Sequence, residues 1–142
     1  MIDVAKEAAR IGGQILLENY GKITSKEVES KGKNNFVTFV DRLSEDKIIE
    51  KLLSVFPDHD IYAEESGKHK KTSDYRWIID PLDGTTNYIQ GIPLFSITIA
   101  LQKKDEIILG ITYDPIRDEM FYAEKGKGAY LNNNRLQISN KE

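Results

Sequence analysis

The segment Trp77-Ile78-Ile79-Asp80-Pro81-Leu82-Asp83-Gly84-Thr85-Thr86-Asn87-Tyr88 restricts the fold more than any other part of this chain. Trp77 to Ile79 is a short run of aromatic and β-branched residues, which suits a buried strand, and Asp80-Pro81 is expected to end it. Pro81 fixes its own φ and Gly84 can adopt a backbone geometry closed to other residues, so the chain must turn tightly here. Asp80 and Asp83 are thereby held close together. Such a pair repels itself unless a proton or a cation lies between the oxygens, and hard oxygen donors on a turn suit magnesium better than zinc. Gly84 followed by Thr85 and Thr86 ahead of a helical turn exposes backbone N–H groups and a hydroxyl, an anion cradle beside a cation site. An Asp-rich turn with a helix cap would use some of the same residues, but it needs neither two aspartates in this register nor the threonine pair.

The 142 residues suit one domain with a real core, and the absence of cysteine removes disulfides, thiolate metal sites and cysteine nucleophiles. A cytoplasmic protein is the expectation. The N-terminal Met1-Ile2-Asp3-Val4-Ala5-Lys6-Glu7 carries charges where a signal core would be apolar, and no apolar run reaches the length of a membrane span. A net charge of −3 with interspersed signs offers no basic face, so neither nucleic acid nor membrane is an expected partner.

Periodicity predicts a helix over about residues 3–20, capped by Asp3, with Val4, Ala8, Ile11 and Ile15 facing inward and Gly21 at its stop. Phe36 to Val40 reads as a strand. A second helix follows, burying Ile48, Ile49, Leu52, Val55 and Phe56 and ended by Pro57. Asp41 stands where it would cap that helix. Strands are expected near 60–63 and 75–80. From Phe95 to Ile138 the alternation of Ile97, Ile99 and Leu101, then the runs Ile107–Tyr113 and Met120–Tyr122, predicts an antiparallel meander. Its turns fall at Lys103-Lys104-Asp105, Asp114-Pro115, Lys125–Gly128 and Asn132–Asn134. Gly126 and Gly128 read as a turn and not as a phosphate loop, since no helix pattern follows them. The run Lys68–Lys71 reads as a solvated loop, and His59 and His69 lack a second histidine at ligand spacing.

Three acidic blocks, Val37-Thr38-Phe39-Val40-Asp41, Glu64-Glu65-Ser66 and Asp80-Pro81-Leu82-Asp83-Gly84-Thr85, resemble those of the inositol monophosphatase family, a group of magnesium-dependent, lithium-sensitive phosphatases. Gly91-Ile92-Pro93, Asp114-Pro115 and Gly126–Ala129 fall at similar turns, so the likeness runs to Ser139. The family's late Trp-Asp block is absent before Glu142. The resemblance therefore implies an N-terminal metal- and phosphate-binding domain over 1–142. The implied fold is α+β, with helices packed on a predominantly antiparallel sheet in a sugar-phosphatase-like sandwich, here without the C-terminal α/β domain.

The same resemblance implies that Glu64, Asp80, the Leu82 carbonyl and Asp83 ligate Mg2+, with Glu65 supporting an additional metal. Asp41 and Thr85 would be the catalytic pair that positions and activates water. Glu64, Leu82, Asp83, Gly84 and Thr85 would contact the substrate, a small phosphorylated polyol or sugar. Thr86-Asn87 points to inositol monophosphate, or to a dual enzyme that also takes fructose 1,6-bisphosphate. Asn35 replaces an acidic residue common in the family, and Lys31 and Lys33 receive no role. A homodimer is implied, hydrolysing phosphate monoesters weakly or not at all as the isolated chain. A non-catalytic metal-binding or dimerisation module is the rival reading.

Overall fold

A computed structural model describes residues 1–32, 35–68 and 72–139. The solvated-loop reading of His69 to Lys71 lies outside these residues. The chain runs α1 (Ile2–Asn19), a short 3₁₀ turn (Ser25–Glu27), β1 (Val28–Gly32), β2 (Asn35–Thr38) and α2 (Phe39–Val55). It continues through β3 (Asp60–Ala63), β4 (Gly67–Lys68), β5 (Tyr75–Asp83) and α3 (Thr85–Ile89). β6 (Ser96–Lys103), β7 (Glu106–Asp114), β8 (Glu119–Glu124), β9 (Gly128–Leu131) and β10 (Asn134–Arg135) complete it.

β1 and β2 form a separate hairpin, and the other eight strands form one sheet in the order β10-β9-β8-β7-β6-β5-β3-β4. Every pairing in that sheet is antiparallel except β3 with β5. The expected meander is present from β6 onward. Left-handed backbone at Lys104, Asp118, Asn132, Gly126 and Gly128 marks its turns. Alternation places Trp77, Ile79, Ile97, Ile99, Leu101, Leu109, Ile111 and Met120 in the core, where α1 packs on β6 and β7 and α2 on β5. The fold is the expected α+β arrangement of helices on a mostly antiparallel sheet.

Several local expectations need correction. Asp3 lies in the first turn of α1, whose N-cap is Met1. The buried stripe of α1 is Ala5, Ala8, Ala9, Gly12, Gly13 and Leu16, while Ile11 is exposed. Small residues face inward because α1 lies very close to its neighbours. A Cβ added at Gly12 would stand 2.8 Å from both Ile48 Cδ1 and Ile97 Cδ1. Val55 also faces solvent. The strand expected over Phe36–Val40 stops at Thr38, because Thr38 caps α2: its hydroxyl accepts the Val40 N–H at 3.2 Å. Asp41 is thus the third residue of the helix and not its N-cap. Nor does Pro81 end β5, which continues through a bulge to Asp83, paired there with Ser96.

Candidate active site

Two features of β5 and α2 build the site. In the first, the bulge between Asp80 and Asp83 breaks the regular alternation, so that Pro81 and Leu82 are both buried while Asp83 is exposed. The Leu82 N–H donates to Asp80 Oδ1 at 3.2 Å, fixing the aspartate against its own turn. Gly84 then takes φ +90°, and a Cβ there would sit 3.0 Å from the Leu94 carbonyl oxygen. The glycine is required both by conformation and by space. The first bond of α3 runs from the Tyr88 N–H to the Gly84 carbonyl at 3.0 Å. The N–H groups before it at the helix start have no acceptor within the helix.

Glu64 arrives from the neighbouring strand. β3 pairs with β5 in parallel through Ala63 and Ile79, and the Glu64 N–H continues the pairing by donating to the Ile79 carbonyl at 3.2 Å. Glu64, Asp80, Leu82, Asp83, Gly84, Thr85, Thr86 and Asn87 consequently line one open cavity of about 260 Å³. Burial raises the Asp80 carboxyl to about 7, reinforced by a hydrogen bond to Glu64 and by the charges of Glu64 and Asp83. A hydrogen bond between two carboxyl groups requires a proton on one of them. That proton occupies the electrostatic position a cation would take.

Asp41 lies beneath this cavity at 1% exposure. Its Oδ2 accepts the Thr38 N–H at 2.9 Å and the Thr38 hydroxyl at 2.7 Å, a capping box that locks the carboxylate. Its Oδ1 faces Thr85, whose hydroxyl hydrogen has Asp41 Oδ1 at 3.0 Å and the Leu82 carbonyl at 3.1 Å as acceptors. Asp41 therefore reaches the cavity through Thr85. Glu65 is turned differently: its N–H donates to buried Glu45 Oε2 at 2.7 Å, and it is not among the residues lining the cavity.

The donor set suits a hard divalent cation, with carboxylates and a peptide carbonyl and no sulfur or imidazole. It is not a closed cage. Among the described residues, no three His, Cys, Asp or Glu side chains are arranged to hold an ion by themselves. Carbonyl and water oxygens would have to complete any coordination, as magnesium commonly allows.

Sequence reading missed Ser44 and Glu45. Ser44 Oγ donates to the Pro81 carbonyl at 3.1 Å, and Glu45 holds the turn after β3. The available signal was their spacing from Asp41, three and four residues on, which places all three on one helix face.

Comparison with known proteins places this geometry. The model of the inositol monophosphatase family matches residues 1–142. The chain is 46% identical over 141 residues to a fructose-1,6-bisphosphatase/inositol-1-monophosphatase of Aquifex aeolicus, covering 99% of this chain and 53% of that protein. It is 46% identical over 142 residues to the Nus factor SuhB of Haemophilus influenzae, covering 99% and 53%. The crystal structure of the extragenic suppressor protein suhB from Bartonella henselae superposes with a TM-score of 0.94 at 38% identity, over 99% of this chain and 55% of that one. The chain spans about half the length of these relatives.

Proposed function

The chain belongs to the inositol monophosphatase family, and on that premise we propose that it carries the cation and phosphate site of a magnesium-dependent phosphatase acting on a small phosphate monoester, inositol monophosphate first. The observation that carries the proposal is the shared cavity of Glu64, Asp80 and Asp83 beside the start of α3, with Asp80 held protonated by its acidic neighbours. Glu64, Asp80, the Leu82 carbonyl and Asp83 would hold Mg2+, and Glu65 would support an additional metal only through movement of its turn. When bound, Mg2+ neutralises the acidic cluster, polarises the ester and acidifies water.

The protein groups divide the remaining work. N–H groups at Gly84, Thr85 and Thr86 offer donors to phosphate oxygens, favoured by the local helix-start field. Thr85 can give its hydroxyl proton to Asp41 while its oxygen accepts one from an attacking water. This aligns the water's lone pair with phosphorus. Asp41 cannot swing away, because Thr38 fixes its other oxygen. The displaced alcohol leaves opposite the water as the P–O bond breaks. Within this proposal the protein works in the cytoplasm as a homodimer and is sensitive to lithium.

A dual activity towards fructose 1,6-bisphosphate is the second reading, supported by the name of the Aquifex aeolicus relative. The test is phosphate release from inositol 1-phosphate and fructose 1,6-bisphosphate, with and without magnesium. It is run on this chain and on a fusion to the portion of the Aquifex protein that the match does not cover. Magnesium-dependent release is expected from the fusion, with little from the chain alone because its cavity is open on one side. No release from either, under conditions where the intact Aquifex protein is active, would contradict the catalytic reading.

A further inference from the structure

We propose that Glu45 is a positioning residue: from the buried face of α2 it sets, through the backbone of the Glu64–Ser66 turn, where the Glu64 carboxylate stands beside Asp80. The inference rests on the cation-site reading above. Glu45 is 1% exposed, and no printed ion pair among the described residues involves it. A buried carboxyl group without a basic partner is costly unless its oxygens are hydrogen-bonded. Both are. Oε2 accepts the Glu65 N–H at 2.7 Å and Oε1 accepts the Ser66 N–H at 2.9 Å. Two successive amides aimed at one carboxylate define the path of the turn far more tightly than a single bond.

This arrangement acts on Glu64 because it holds the residue from both sides. The Glu64 N–H is fixed to the Ile79 carbonyl, and the next N–H in the chain is fixed to Glu45. The same helix face also carries Asp41, bonded to Thr85, and Ser44, bonded to the Pro81 carbonyl. Three residues at positions i, i+3 and i+4 therefore hold three different segments of the cavity wall. α2 fixes their relative placement as a rigid element, and Glu45 supplies the link to Glu64.

Glu45→Gln tests this, since it keeps the size of the side chain but offers one carbonyl oxygen where two amides need acceptors. Its NH2 group would face a backbone N–H. Ile48→Val, one turn along the same helix, serves as the control for a merely loosened core. The measurements are the affinity for Mn2+ as a paramagnetic stand-in for Mg2+, by electron paramagnetic resonance, and amide hydrogen exchange at Glu65 and Ser66 without metal. Glu45→Gln is expected to weaken Mn2+ binding at least tenfold and to speed exchange at both amides, with Ile48→Val within twofold of wild type in both. Wild-type affinity in Glu45→Gln, or unchanged exchange at Glu65 and Ser66, overturns the proposal. Should the variant not fold, fast exchange of these two amides in the wild-type chain overturns it equally. A wild-type chain that binds no Mn2+ refutes the cation reading, and with it any role of Glu45 in metal affinity; the exchange data then still decide whether Glu45 fixes the turn.

Discussion

Asp80→Asn should make the metal-free protein more stable at pH 8 and remove most of its stabilisation by magnesium. The folded-state carboxyl titrates near 7 against an ordinary value of 3.8, chiefly because it is partly buried and also because Glu64 and Asp83 crowd it. The sign follows from proton linkage. A raised carboxyl means that the folded state binds the proton more tightly than the unfolded state. Below pH 3.8 both states are protonated and nothing is lost; stability falls as pH rises towards 7, and above that the full penalty applies. Discounted for the partial exposure of Asp80, the penalty is about 2 kcal/mol. Thermal melts without metal should show wild type and Asp80→Asn alike near pH 4 and the variant higher at pH 8 by on the order of 5 °C. Magnesium at ten times its Kd should then raise the wild type by about 1.4 kcal/mol and leave the variant almost unmoved. A variant that is less stable than wild type at pH 8, or one that keeps the full magnesium response, would show that Asp80 is not where the acidic strain and the cation meet.

Thr85→Val should reduce phosphate-ester turnover by roughly a hundredfold to ten-thousandfold, the range for removal of a positioned acid–base group. Valine keeps the shape of threonine but removes the hydroxyl that connects the cavity to Asp41. Magnesium affinity should stay within about threefold, because no carboxylate ligand is lost; folding should weaken by about 1–3 kcal/mol, since Asp41 Oδ1 loses a donor in a buried place. Thr85→Ser restores the hydroxyl and should recover most of the activity. The readout is kcat in whichever form of the protein shows magnesium-dependent release. If Thr85→Val keeps activity close to wild type, the Thr85–Asp41 pair does not activate water.

The parts of this account that were legible in the sequence are those written in contiguous residues. Ile97, Ile99 and Leu101 alternate along β6, and glycine, asparagine and lysine mark the turns after it, so the meander can be drawn without coordinates. Asp80 to Thr86 likewise contains its own turn and its own donors. What escaped depends on tertiary partners. The inward stripe of α1 is made of alanine and glycine, which periodicity weighs lightly, and only the nearness of Ile48 and Ile97 shows why they face the core. β5 passes Pro81 because Ser96 on β6 pairs with Asp83 after the bulge. β3 lies parallel to β5, a pairing no short turn can announce. Thr38, and not Asp41, caps α2, since the extended run before the helix ends two residues earlier than its composition suggests. Glu45 escaped for a related reason: a glutamate in a charged helix reads as solvated, and its two acceptors are spoken for by amides about twenty residues away.

The claim on which the rest depends is that Glu64, Asp80 and Asp83 form one cation site although they come from two strand ends. Calorimetric titration of Mg2+ into the wild-type chain and into Asp83→Asn tests it most directly. Asp83 is exposed and lies beyond the bulge, so its change to the isosteric amide should leave folding nearly intact while removing one charged donor from the cavity. The account predicts saturable binding by the wild type and at least a tenfold weaker Kd for Asp83→Asn. Equal affinity in the two proteins would place the ion elsewhere and contradict the shared site.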